Sequence, residues 1–163
     1  MTKGRSCIII IILIISANLA SGLGAKRGST MTGPTASVLV VDDERGFHDL
    51  FRFLLEPRGI SIDTACDGRT ALARLRERSY GLIFCDMHIP GTDSLRLLTE
   101  IRTLCPKTGL VLMSSSPDQH AAAQKALRNF EAARHLVKPF ELDQLLSALG
   151  ELRPGLDKIP FVC

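Results

Sequence analysis

No two of the five cysteines in this 163-residue chain stand at C-x-x-C spacing, and their number is odd: Cys7, Cys66, Cys85, Cys105 and Cys163. Neither a disulfide framework nor a cysteine-based zinc site is suggested. Cys66 and Cys85 sit within or just after apolar runs, where a free thiol serves as a small buried hydrophobe, a usage that fits a reducing compartment. A basic patch is missing too. Residues 1–30 hold Lys3, Arg5, Lys26 and Arg27 and no acid, so 16 of the 20 basic residues and all 17 acidic ones lie beyond them. The formal charge of +3 thus becomes −1 for the rest of the chain. Without basic residues clustered on a face or along a helix, direct nucleic-acid binding is not expected. His88 and His135 lack the paired-histidine spacing of a zinc site and read as ordinary polar positions.

What is present at the N-terminus is a long apolar run. A basic start, the unbroken stretch Cys7 to Ile15 and the small residues around Ala17 and Ala20 have the three parts of a secretory signal. Extended through residues 7–23, the run reaches the lower end of the roughly 17–25 residues that span a bilayer, so a membrane anchor is a second reading. Bases on both flanks leave its orientation undecided. A third reading starts translation at Met31, whose polar lead runs directly into a strand. The expected organisation is a leader over 1–30, a lead-in over 31–37, one domain over 38–153 and a short tail over 154–163. A chain of this length builds one full core, not two ordinary ones.

Beyond Met31, β-type runs alternate with helix-period segments, the pattern of an α/β domain with a parallel sheet. Strands are expected at Val38–Val41, around Ile60, Ile62 and Thr64, at Gly81–Cys85, at Leu110–Met113 and at Leu136–Val137. The intervening helices carry apolar stripes: Phe47, Leu50, Phe51 and Leu54; Ala71, Leu72 and Leu75; Leu97, Leu98, Ile101 and Leu104; Ala123, Ala126, Leu127 and Phe130; Leu142, Leu145, Leu146 and Leu149. Five βα units with right-handed crossovers make a doubly wound five-stranded sheet. One common strand order, 2-1-3-4-5, makes strands 1 and 3 neighbours at the switch point where ligands bind.

Two of the apolar runs end on acid, at Asp42-Asp43 and at Asp86, and the last ends on Lys138-Pro139. In a parallel sheet these groups meet at one edge, where three carboxylates repel unless something positive holds them. A divalent cation such as Mg²⁺ suits such oxygen donors, with one or two carboxylates plus a phosphate being enough. A carboxylate can itself be the nucleophile in phosphoryl transfer if the charge on the transferring group is neutralised, which the ion and Lys138 would do. Ser114 stands ready to donate to a phosphoryl oxygen. Alone, Asp42 or Asp43 would read as a helix N-cap, Lys138 as a solvated lysine, and Ser114 to Ser116 as a loop or cap. Cys85, pointing opposite to Asp86 by strand alternation, reads as core.

With the motifs VLVVDDE (38–44), LIFCDMHIPGTDS (82–94), VLMSS (111–115) and LVKPF (136–140) in this order and spacing, the chain resembles the receiver domain of two-component response regulators over about Ser37 to Leu152. The resemblance implies that Asp86 accepts the phosphoryl group and that Asp43 and Asp86 bind Mg²⁺ with the backbone carbonyl of His88. Asp42 would assist through water, Lys138 would contact the phosphoryl group, and Ser114 would move toward it on activation. It also implies a cis bond before Pro139, catalysis by the domain of its own phosphorylation and dephosphorylation, and a phosphohistidine donor on a histidine kinase or phosphotransfer protein. Such a donor is cytoplasmic, which disfavours export. His135 stands where the family usually has Tyr or Phe, Glu131 where Gly is common, and Ser94 where the loop usually has Gly. The expected function is a stand-alone phosphoacceptor that signals to a downstream protein by contact around helix 4, strand 5 and helix 5. Two alternatives are a receiver-like interaction module that works without phosphate, to which His135 points, and an aspartate phosphatase, against which Asp86-Met-His88 lacks a D-x-D motif.

Overall fold

Runs that are apolar on both faces, as at Val38–Val41, Leu82–Cys85 and Leu110–Met113, call for a helix layer on each side. The computed structural model, which describes residues 37–128 and 133–152, has that arrangement. In chain order it runs β1 (Ser37–Val41), α1 (Arg45–Leu55), β2 (Ser61–Ala65), α2 (Gly68–Glu77), β3 (Leu82–Asp86), α3 (Ser94–Leu104), β4 (Gly109–Ser114), α4 (Pro117–Leu127), β5 (Ala133–Val137) and α5 (Leu142–Leu152). All four pairings are parallel and the strand order is 2-1-3-4-5. The leader, most of the lead-in, the tail, Phe130 and Glu131 lie outside the described residues. No helix among the described residues is long and apolar enough to cross a membrane.

Strand alternation divides the core in two. Leu39, Val41, Ile83, Cys85, Leu110 and Leu112 cluster with residues of α2, α3 and α4, including Leu75, Leu98 and Ala123. The alternate positions face the other way, where the Phe51 ring of α1 packs on Phe84 of β3 at 4.6 Å between centroids. Leu145 and Leu149 of α5 are buried as well. Three of the helices, α2, α3 and α4, begin on side-chain caps. Asp67 accepts from the Thr70 amide at 2.7 Å, Asp93 from Arg96 at 3.1 Å and Ser116 from Gln119 at 3.4 Å. After α1 a single 3₁₀ turn (Glu56–Arg58) ends at Gly59, whose φ of 74° suits a residue without Cβ.

Several local expectations change. The fifth strand is five residues long rather than two, because its first three, Ala133 to His135, sit on an edge strand that is only half covered and so lack an apolar signature. Asp67-Gly68 is not a free turn but the cap and first residue of α2. A Cβ at Gly68 would come within 2.7 Å of Thr92 Cγ2, so glycine there lets α2 approach the loop after β3. Leu104 is exposed at the last turn of α3, off the buried stripe of Leu97, Leu98 and Ile101. Cys66 is exposed beyond the end of β2 rather than buried, while Cys85 is in the core, where burial pushes its thiol up to about 12.

Truncating Phe84 to alanine empties a fully buried ring site between the sheet and α1 and is expected to cost about 3–5 kcal/mol. Asp67→Ala removes only a cap and should cost about 1 kcal/mol. Urea unfolding of the two variants checks both magnitudes and their order.

Candidate functional site

The register Val41↔Cys85 between β1 and β3, continued by one residue, brings Asp42 opposite Asp86 at the carboxyl end of the sheet. Lys138 arrives from the end of β5, its amide donating to the Ser114 carbonyl at 2.7 Å, and the Lys138–Pro139 peptide is cis. Its Nζ lies 2.6 Å from Asp42 Oδ2 and 2.6 Å from Asp86 Oδ2. The remaining oxygens are matched in the same way. Asp42 Oδ1 accepts the Glu44 amide at 2.9 Å, and Asp86 Oδ1 accepts the His88 amide at 2.9 Å. Every oxygen of the two buried carboxylates therefore has a donor, as burial requires.

Asp43 completes the group from the exposed side. Asp42, Asp43 and Asp86 each offer a carboxylate oxygen, and these three atoms lie within 4.8 Å of one another. One ammonium does not balance three carboxylates, so negative charge is left over at a cluster of hard oxygen donors. That donor set fits a divalent cation such as Mg²⁺.

Electrostatics reflect this crowding. Burial, opposed by the charge and hydrogen bond of Lys138, raises Asp42 to about 6, with Asp86 adding to the rise. Burial alone would lower Lys138, but the Asp42 and Asp86 carboxylates outweigh it and raise its pKa. The pair favours the charged form of both partners, but burial outweighs it at Asp42 and not at Lys138. Both directions stand, because Asp42 is wholly buried and shares its single cation with Asp86.

Ser114 and His135 are paired with each other instead of with the acids. Ser114 Oγ and His135 Nε2 are 2.6 Å apart, and the His120 ring of α4 meets His135 edge-on at 5.3 Å between centroids. Burial and the neighbouring His120 lower the His135 pKa, which favours the neutral ring. By strand alternation Ser114 and His135 face α4, whereas Asp86 shares the Phe84 face toward α1. The loop residue Ser94 donates to the Met87 carbonyl at 2.9 Å, tying the start of α3 to the segment after Asp86. A glycine there would lack this bond. A shallow groove between β5 and α5, lined by His135, Asp143, Gln144 and Ser147 among others, shares none of the three carboxylates.

Two neighbours of the site escaped the sequence reading. Phe47, assigned only to a core stripe, has its ring 4.1 Å from Lys138 Nζ. Its position in the first turn after Asp42-Asp43 was the available signal. His120 gave none, since α4 carries little apolar pattern around it.

The raised Asp42 pKa fixes the sign of a pH effect. Above its unfolded value of 3.8, a carboxylate raised in the folded state binds protons more tightly there than when unfolded, so its favourable contribution is complete below about 4 and lost as pH rises through about 6. With divalent ions chelated, Asp42→Asn should gain in stability relative to wild type as pH rises through about 6. That advantage should shrink as pH falls from about 6 to 4. Thermal unfolding across this range is the check.

Comparisons with known proteins agree with the fold and the motifs. The family model described as "Response regulator receiver domain" matches residues 38–150. The transcriptional regulatory protein ZraR of Klebsiella oxytoca is 31% identical over 121 residues, covering 74% of this chain and 27% of that protein. The transcriptional regulatory protein ResD of Bacillus subtilis is 35% identical over 105 residues, covering 63% and 42%. The chain thus spans a quarter to two fifths of the length of these relatives. Among solved structures, the receiver domain of NtrX from Brucella abortus matches with a TM-score of 0.64 at 34% identity, covering 72% of this chain and 98% of that one. The response regulator TrrA of Thermotoga maritima, solved in complex with Mg(2+)-BeF, matches with a TM-score of 0.62 at 28% identity, covering 72% and 98%. On the family match, the five-stranded order and the assembled motifs together, the chain belongs to the response regulator receiver domain family.

Proposed function

We propose that this receiver domain accepts a phosphoryl group on Asp86 from a phosphohistidine of a histidine kinase or phosphotransfer protein, and passes the signal on by protein contact. The observation that carries this reading is the Lys138 ammonium, 2.6 Å from both Asp42 and Asp86, with Asp43 completing a carboxylate cluster. In the transfer, an Asp86 carboxylate oxygen forms a bond to phosphorus as the phosphorus–nitrogen bond to the donor histidine breaks, and the electron pair leaves with the imidazole. Mg²⁺, held by Asp43 and Asp86 with Asp42 supporting it, would supply positive charge against the phosphoryl oxygens. Lys138, 2.6 Å from Asp86 Oδ2, adds a second positive charge. The His88 amide keeps the carboxylate oriented through Oδ1. Ser114 then exchanges His135 for a phosphoryl oxygen, and the release of His135, whose ring rests on α4, carries the change to the α4–β5–α5 surface.

The relatives that match are named as transcriptional regulatory proteins of greater length. For this chain the downstream target is a protein, not nucleic acid. A phosphohistidine donor places the domain in the cytoplasm, with anchoring through residues 7–23 as the membrane-bound variant. A second reading, a receiver-like module that works without phosphate, draws on the Ser114–His135 bond, which already occupies the serine hydroxyl.

Incubation with Mg²⁺ and acetyl phosphate, followed by intact-mass measurement, separates the two. A phosphate-sized gain in the wild type that Asp86→Asn abolishes is the expected result. No gain from acetyl phosphate or from a phosphorylated kinase would favour the module instead.

A further inference from the structure

Lys138 is enclosed on three sides, and only two of them carry charge. An ammonium has three N–H donors. Two point to carboxylates, at 2.6 Å from Asp42 Oδ2 and 2.6 Å from Asp86 Oδ2. The third side is the Phe47 ring, whose centroid lies 4.1 Å from Nζ, well inside the range in which the negative face of an aromatic ring attracts a cation. Both residues are buried, Phe47 at 4% exposure and Lys138 at 6%. The ring is itself fixed: it sits in the first turn of α1, with its amide donating to the Glu44 carbonyl at 3.0 Å, and it meets Phe140 at 5.9 Å. Phe140 lies two residues beyond Lys138, so the ring contacts the chain on both sides of Pro139.

The charged holds are the ones that change during function. Asp42 and Asp86 are the carboxylates that would help to hold a divalent ion, and reaction at Asp86 would alter the surroundings of one of these two oxygens. The ring face is not a ligand for the ion and adds no negative charge to an already crowded cluster. An aliphatic side chain of similar volume would fill the same space but give the ammonium nothing to replace water.

We propose that Phe47 is a positioning residue for Lys138, its ring face holding the ammonium beside Asp86 independently of the carboxylates. This rests on the proposed role of Lys138 at the phosphoryl group. The ring acts through the lysine and touches no reacting atom.

Site-specific replacement of Phe47 by mono-, di- and trifluorophenylalanine in the full chain tests it. Fluorine withdraws density from the ring face while nearly keeping its shape, so a purely structural ring would not respond in order. The rate of Asp86 phosphorylation by acetyl phosphate with Mg²⁺ should fall stepwise with each added fluorine. Phe47→Leu should be slowest, by roughly tenfold. A separate readout needs no phosphorylation: the Lys138 ε-methylene proton resonance should be shifted upfield by the ring in the metal-free wild type and return to its ordinary position in Phe47→Leu. Rates that do not follow fluorination, or an unshifted lysine resonance, would overturn the inference. A wild type that takes no phosphate overturns the reading of Asp86, and the lysine resonance then still decides whether the ring holds the ammonium.

Discussion

The buried Lys138 ammonium between Asp42 and Asp86 is the interaction on which the rest of the site depends. A carboxylate with no exposure, such as Asp42, is tolerable only when both of its oxygens are satisfied and some positive charge is near. Lys138 answers both needs for two carboxylates at once, and the Glu44 and His88 amides complete them. The compensation is deliberately partial in its physical effect. Two buried carboxylates and a third exposed one share a single cation, so the cluster is left attractive to a divalent ion.

This arrangement needs long-range order, since Asp42 and Lys138 are 96 residues apart in sequence. The parallel register is what delivers it. β1 pairs with β3, β3 with β4 and β4 with β5, so three strand ends separated by helices finish at a common edge. The Ser114 carbonyl bound to the Lys138 amide ties the lysine to the same strand that carries the serine hydroxyl. The serine hydroxyl and the charge-compensating lysine are therefore fixed to one another through a single residue of β4. The hydroxyl itself is held away from the acids by His135, with His120 behind it, and this is how the site connects to α4.

The strand runs and the acids and lysine that end them were legible because they are patterns that a chain cannot hide, whereas periodicity alone does not fix the sheet order, which was expected as a common one that brings the acids together. Central strands buried on both faces are continuous apolar runs, and the residues that end those runs define the edge. What was hidden lay where burial is partial. Ala133 to His135 form strand without apolar alternation because β5 is an edge, and Leu104 keeps helical spacing although the last turn of α3 leaves the core. Cys66 looked buried beside an apolar strand but sits past its end. Side-chain pairings were beyond periodicity altogether. A stripe shows that Phe47 faces inward, not that its ring meets an ammonium, and the Ser114–His135 bond depends on a register between β4 and β5 that sequence does not state.

The proposed phosphoryl transfer requires that the carboxylate cluster, incompletely neutralised by Lys138, hold a divalent cation. Calorimetric titration of the protein with Mg²⁺ measures this directly, with Asp43→Asn as the variant because Asp43 is exposed and its loss leaves the buried Lys138 pairs untouched. Saturable binding by the wild type, weakened at least about tenfold once this ligand loses its negative charge, is what the account predicts. A wild type that binds no Mg²⁺, or a variant that binds it as tightly, would contradict it.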